Sequence, residues 1–398
     1  MSWEMVKLEK LCKMNSGGTP SRSIKEYYSG DIPWAKISDI EAAEGGIVYS
    51  TEEHITTDGL KAINNRIFEK GTLLLAMYGS VGKVAFTGID MSTNQAILGI
   101  RIIDETVLDY SYLKYWFQTI KSKLLDRAVG GTLQNISLGI VKDLEIPLPP
   151  LATQKRIAEI LNAADALRRK DQELLKKYDE LAQVIFIDMF GDPVKNEMGW
   201  ETKPLKNITS KIGSGATPTG GKTAYKSEGI SLIRSMNVYD LAFKWKDLAF
   251  IDETQATRLN NVTVESKDVL FNITGASVCR CSIVPDELLP ARVNQHVAII
   301  RAKKDCLNPI FLNHLLVSNS VKIKLLGVGS GGGAVMEAIT KDQLEQFEII
   351  VPPIKLQDKF EQLINSVFAQ KSAEIATIKA SEMFFNSLIQ KAFKGELV

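Results

Sequence analysis

Two short stretches have the residue types to cradle a phosphate. One is Gly79-Ser-Val-Gly-Lys83, the other Ala216-Thr-Pro-Thr-Gly-Gly-Lys222-Thr223. Glycines let backbone N–H groups approach an anion, and a following lysine neutralises it. A nucleotide loop also needs a strand before it and a helix opening after it. Val84-Ala85-Phe86 reads as a strand, so the first stretch fails that test. The second carries Ala216 where the first glycine belongs, Pro218 within the loop, and Tyr225-Lys-Ser-Glu-Gly229 where the helix should start. A β-turn with an exposed lysine is the simpler reading of Gly79–Lys83. No GxSxG, HExxH or paired-carboxylate motif stands out, and no Asn-Pro-Pro-aromatic tetrapeptide marks an amino-methyltransferase. The three histidines are scattered. Cys279 and Cys281 have no second pair nearby, so buried thiols are expected rather than a zinc site.

A chain of 398 residues implies at least two domains. No apolar run approaches the roughly 18 residues of a membrane span, and the N-terminus lacks a secretory layout, so a cytoplasmic location is expected. Charge is balanced: Lys plus Arg against Asp plus Glu is 16 to 18 in residues 1–150 and 18 to 16 in 196–353. A nucleic-acid binder with these totals must concentrate its positive charge locally.

The chain is written twice. Asn15-Ser-Gly-Gly-Thr-Pro20 returns as Gly213-Ser-Gly-Ala-Thr-Pro218. Ile32–Ile40 returns as Ile230–Val238, Asn94-Gln95 as Asn294-Gln295, and Leu148-Pro-Pro-Leu151 with Gln154 as Val351-Pro-Pro-Ile354 with Gln357. The stretch Leu73–Phe86 returns as Val269–Ile283. Order is kept at a period near 200, right for a whole domain plus a helix.

After each Pro-Pro pair comes a long segment free of Pro and Gly, Ala152–Phe190 and Lys355–Lys394. Apolar or small residues at 157, 160, 164, 167, 174, 178, 181 and 185, and at 364, 368, 375, 378, 385, 389 and 392, step by threes and fours. Each predicts a helix of about 39 residues, ~58 Å long, and the two most simply bury their stripes on each other. Asp171 and Lys371 interrupt the stripes. In an antiparallel pair they could meet and fix register, although solvated flank positions are the favoured reading. Between the helices, short Val/Ile/Phe-rich runs separated by turn clusters read as strands, and Leu113–Leu125 and Pro309–Leu326 as helices. The expectation is two similar mixed α/β domains, 1–150 and 192–353, separated by long helices at 151–191 and 354–398 that form an antiparallel coiled coil with pseudo-two-fold symmetry.

A duplicated domain on a rigid two-helix spacer suits a partner with its own two-fold, such as duplex DNA. Matched basic residues at turns, Lys36/Arg234, Lys83/Arg280 and Arg22/Lys222, could meet phosphate or guanine, and Asn94/Asn294 and Gln95/Gln295 could pair with adenine. For the Asn-Gln pair a turn-capping role is equally supported. Asp39 and Asn237 differ in charge, which suits contacts that read different targets. Ser80, Ser277, His296 and the loop residues Thr132 and Gln134 complete the candidate DNA contacts.

With these motifs in place, the chain resembles the specificity subunit of type I restriction–modification enzymes. The likeness is carried by Gly18-Thr-Pro20, Leu73–Phe86, Asn94-Gln95, IPLPPLATQKRIAEIL (146–161), VLFNITGAS (269–277), MFGD (189–192) and AFKGEL (392–397). The resemblance implies two target recognition domains, each reading half of a bipartite, asymmetric DNA sequence. It implies two modification subunits bringing S-adenosylmethionine for adenine methylation, and restriction subunits bringing ATP and Mg2+. The chain itself would then bind no cofactor or metal and catalyse nothing. Ala334–Ile339 replaces Thr132–Ser137 in the second copy, so loop contacts do not transfer between halves. Two other readings stay open: a coiled-coil adaptor binding proteins, and an enzyme with a degenerate nucleotide loop or methyltransferase motif.

Overall fold

The computed structural model describes residues 3–121, 124, 135–218, 220–329 and 338–397. The chain divides into two compact units. One holds Met1–Leu174 with Glu374–Val398, the other Leu175–Ala373. Each unit therefore contains one mixed α/β domain and a segment of each long helix.

In the first unit a five-stranded sheet runs in the order Cys12–Ser16, Ile97–Ile102, Leu73–Ala76, Val84–Thr87, Ile47–Val48. A second sheet orders Glu53–Ile55, Tyr28–Ala35 and Ser92–Thr93. The second unit repeats this plan. Thr209–Ser214, Val297–Ala302, Val269–Asn272 and Cys281–Ile283 form one sheet, and Ala249–Ile251, Ile230–Ile233, Ala291–Val293 and Thr263–Val264 the other.

Register repeats as well as order. Leu73 faces Ile100 and Ala76 faces Ile97, while Val269 faces Ile300 and Asn272 faces Val297. The parallel pairs Trp34–Ser92 and Leu232–Arg292 also correspond. A one-residue slip would turn each buried set to solvent, so matched register records matched cores.

The helix Tyr110–Thr119 is capped by Asp109, whose carboxylate accepts the Tyr112 N–H at 2.9 Å. It starts three residues before the expected boundary, and the segment beyond Leu124 lies outside the described residues up to 135. Its counterpart is two helices, Pro309–Val317 and Asn319–Gly329, parted at Ser318, which leaves helical geometry. Each first helix is sandwiched between its sheet and the long helices. Tyr112, Tyr115 and Trp116 pack with Leu75, Leu98, Ile157, Leu161, Phe385 and Ile389. Phe311 and Leu315 pack with Phe271, Ile300, Phe186, Phe190, Phe360 and Ile364.

The long helices run Leu151–Phe190 and Ile354–Lys394. Their segments pair antiparallel within each unit. In the first, Gln172 donates to Glu382 at 3.4 Å, and Arg168 lies 5.2 Å from the Phe385 ring. In the second, Lys371 Nζ is 2.5 Å from Asp179, and Phe186 and Phe190 meet Phe360 at 5.5 and 5.4 Å between ring centroids. Lys371 thus takes Asp179, two turns along the helix from Asp171. One Asp171 carboxylate oxygen is buried without a hydrogen-bond partner among the described residues.

The buried face of the first long helix also differs from the expected stripe. Gln154, Ile157, Ala158, Leu161, Asp165, Ala182, Phe186 and Phe190 are buried, whereas Leu167, Leu174 and Leu181 are exposed. A straight helix drifts about 20° per heptad from a seven-residue repeat, and each helix end must also face its domain, so one straight seam does not describe it.

Candidate nucleic-acid interface

The turn between Leu73–Ala76 and Val84–Thr87 is a tight strand connection. The Ala76 N–H donates to the Lys83 carbonyl at 2.9 Å and the Gly82 N–H to the Ala76 carbonyl at 3.1 Å. Gly82 holds φ at +82°. The copy makes the same two bonds, from Asn272 to Arg280 and from Cys279 to Asn272, each at 2.9 Å. Cys279 takes the left-handed conformation at φ +66°, so the turn survives loss of its second glycine. Lys83 and Arg280 leave this turn at equivalent points.

In the first domain two of the three basic candidates, Arg22 and Lys36, are tied to carboxylates. Lys36 Nζ lies 2.7 Å from Glu52 and 2.8 Å from Glu53, and Arg22 lies 2.6 Å from Glu53. The Arg22 guanidinium also covers the Tyr28 and Trp34 rings, 4.5 and 5.1 Å from their centroids. Hydrogen bonds from Arg22 and Lys36 hold the Glu53 carboxyl below its usual range. Lys83 Nζ donates to the Glu41 carbonyl at 3.0 Å, and the Ser80 hydroxyl donates to the Glu41 carboxylate. Gln95 is exposed and accepts from the Thr19 hydroxyl, while Asn94 accepts the Ala96 N–H at 3.1 Å. Thr132 and Gln134 lie outside the described residues.

The second domain keeps the turns and changes their surroundings. Gln295 is exposed and accepts from the Thr217 hydroxyl. His296 Nδ1 is 2.6 Å from the Thr274 hydroxyl, and the Ser277 hydroxyl accepts from Asn272 at 3.1 Å. Arg234 donates to the Asp247 carbonyl and lies 5.3 Å from the Tyr225 ring. Arg280 lies 4.6 Å from the Tyr239 ring. Lys222 sits in the turn Gly221–Ala224, and its side chain lies outside the description.

Two candidates are corrected to structural roles. Asn237 is fully buried, accepting the Arg234 N–H at 3.1 Å and donating to the Lys244 carbonyl at 2.9 Å. Asn294 is buried and accepts the His296 N–H at 3.0 Å. Asn237, with both ends of its amide committed to backbone, has nothing left for a base edge, and burial withdraws Asn294 from one. Asp39 plays the Asn237 part in the first domain, accepting N–H groups from Lys36 at 2.6 Å and Glu52 at 2.9 Å. The charge difference at this matched position therefore follows from backbone partners rather than from targets.

Sequence reasoning passed over two groups. Gln154 and Gln357, noted only as repeat markers, clamp each domain to its long helix. Gln154 accepts the Asp109 N–H at 2.9 Å and donates to the Val107 and Pro149 carbonyls at 2.9 and 2.8 Å. Gln357 accepts the Asn308 N–H at 2.8 Å and donates to the Cys306 and Pro352 carbonyls at 3.1 and 2.7 Å. The second group is the aromatic and basic run Tyr239, Phe243, Lys244, Trp245 and Lys246, which has no counterpart in the first half and so left no repeat signal.

The fold is a duplicated mixed α/β domain with two long helices. The description "Type I restriction modification DNA specificity domain" matches this chain over residues 1–177 and 197–380. The chain belongs to that family of type I restriction–modification specificity subunits. Over 99% of its length it is 29% identical to the type I restriction enzyme MjaIX specificity subunit of Methanocaldococcus jannaschii, covering 93% of that protein. It is 23% identical to the EcoBI specificity subunit of Escherichia coli over its full length and 86% of that relative. Among solved structures, a chain from a study of assembly and conformational transition of the type I R-M system superposes with a TM-score of 0.65. There the identity is 19%, over 100% of this chain and 98% of that one. The S subunit from M. genitalium gives a TM-score of 0.54 at 15% identity, over 98% and 96%. These likenesses concern the fold.

Proposed function

We propose that this chain is the DNA-reading subunit of a type I restriction–modification assembly, each domain reading one half of a bipartite, asymmetric target. The carrying observation is the repeat of strand order and register in both units within a family of specificity subunits. The long helices set the separation of the half-sites and dock two modification subunits. Exposed apolar side chains on them support a docking role: Leu167, Leu174, Met383 and Phe384 in one unit, Val184 and Ile187 in the other. S-adenosylmethionine belongs to the modification subunits, ATP and Mg2+ to restriction subunits, and this chain reads without catalysing.

Exposed Gln95 and Gln295 and half-buried Lys83 and Arg280 are the contact candidates this reading keeps from the matched positions, with base recognition falling to the glutamines and phosphate contact to the cations. Mapping methylated adenines genome-wide with and without this gene tests it. The expected result is loss of methylation at one bipartite motif. An unchanged methylation map alongside expressed partner subunits would overturn it.

A further inference from the structure

The two domains hold one loop in the same slot with the same latches and give it opposite charge. Lys36 and Asp39 hold the first copy, Arg234 and Asn237 the second. Residues 32–53 contain one lysine against five acidic side chains. The same span displaced by 198, residues 230–251, contains three basic against two acidic. In the first copy the cations close on Glu52 and Glu53. In the second, Arg234, Lys244, Lys246 and Arg280 have no ion pair among the described residues, and Lys244 and Arg280 both lie over the Tyr239 ring, at 5.4 and 4.6 Å. The nearby acids are Asp247, whose carbonyl takes Arg234, and Asp240, which pairs with Lys322. Trp245 stands between the lysines, 50% exposed, its ring edge-on to Phe243 at 5.3 Å.

We propose that Lys244-Trp245-Lys246 is a duplex DNA contact belonging to the second recognition domain alone, the two lysines meeting backbone phosphates and Trp245 packing into the groove between them. It rests on the DNA-reading function above. Unpaired cations beside an exposed aromatic match a polyanion with apolar sugar and base surfaces. Because Asn237 already fixes the Lys244 and Lys246 carbonyls, little ordering is needed on binding. The first domain neutralises its own slot, so its phosphate contacts must come from elsewhere.

The test uses the complex assembled with its modification subunits and a duplex carrying the methylated motif. Lys244→Gln with Lys246→Gln should lower the slope of log affinity against log salt by about two. Trp245→Ala should weaken binding roughly tenfold and relax selection at one half-site while the other keeps its mismatch penalties. Trp245→Phe should recover most of the loss and exclude misfolding as its cause. Wild-type slope and selection in these variants would overturn the proposal. So would impaired assembly with modification subunits in the absence of DNA, because the loop would then be a protein contact. A wild-type complex that selects no sequence would instead remove the DNA-reading function itself.

Discussion

Asp39 and Asn237 close the same turn with opposite second partners. Both accept the N–H of the residue three before them. Asp39 then accepts a second N–H, from Glu52, whereas Asn237 donates to the Lys244 and Lys246 carbonyls. A carboxylate only accepts and an amide does both, so backbone polarity dictates the residue. Asn237→Asp would set a buried carboxylate against carbonyl oxygens and should cost about 2–3 kcal/mol. Asp39→Asn, at a half-buried site, should cost about 1 kcal/mol. Urea midpoints of the two single variants check this, and equal, negligible shifts would contradict it.

Gln154 and Gln357 each satisfy one N–H and two carbonyls where a domain meets its helix, and both are fully buried. Truncation strands all three groups. Gln154→Ala should destabilise the first unit by about 2–4 kcal/mol. Gln154→Glu should do no better, since its carboxylate cannot donate to Val107 and Pro149. Chemical denaturation followed by tryptophan fluorescence reads the effect.

Gly215 and Gly213 lie two residues apart and face different surroundings. A Cβ on Gly215 would stand 1.7 Å from the Val293 carbonyl oxygen, and one on Gly213 would meet nothing within 4 Å. Gly17 repeats the constraint in the first domain, 2.3 Å from the Asn94 carbonyl oxygen. Gly215→Ala should cost about 3 kcal/mol or more, because backbone must move. Gly213→Ala should stay within roughly 0.5 kcal/mol. Comparing the two midpoints separates close approach from general intolerance.

The repeat made the architecture legible, because glycines, Pro-Pro breaks and Gln anchors reappear in order and each answers a backbone demand that reappears with them. Cys279 shows the limit: the turn persisted where its glycine did not, held by hydrogen bonds the residue types do not reveal. The helical seam was read a position or so off, since Leu167 and Leu181 fit a heptad that the buried face does not follow. At the candidate interface, matching positions nominate Gln95/Gln295 and Lys83/Arg280, which stay candidates. The same matching promoted Asn237 and Asn294, because a residue kept for a turn and one kept for a contact look alike in a repeat. It also hid Trp245, which only one half contains.

His314 occupies the place of Tyr115, on the helix sandwiched between sheet and long helices, with its ring 5.2 Å from Phe360. Burial pushes its pKa down to about 4. The unfolded chain binds the proton near pH 6.5 and the native state resists it, so this contribution to stability is complete above about pH 6.5 and is lost as pH falls toward 4. The full loss is about 3 kcal/mol. His314→Phe should flatten the pH dependence of the second unit's unfolding between pH 7 and 5. An unaltered slope would show that His314 is not the group responsible.

Lys371 and Asp179 bridge the paired helices through side chains 25% and 56% exposed. Such a pair contributes under about 1 kcal/mol, so Lys371→Ala should barely move stability. Under the proposed function, the separation of half-sites is set by helix length instead. Chain passes between the two units at Leu174–Leu175 and Ala373–Glu374. Four residues inserted at both points add about one turn, or ~6 Å, equivalent to about two base pairs of duplex. The complex should then methylate sites whose half-sites are unchanged and whose spacer is longer by one or two base pairs. The added turn also rotates one reader by ~40°, less than the ~70° that two base pairs introduce, so affinity should fall while half-site preference persists. Methylation confined to the original spacing would refute the helices as the ruler.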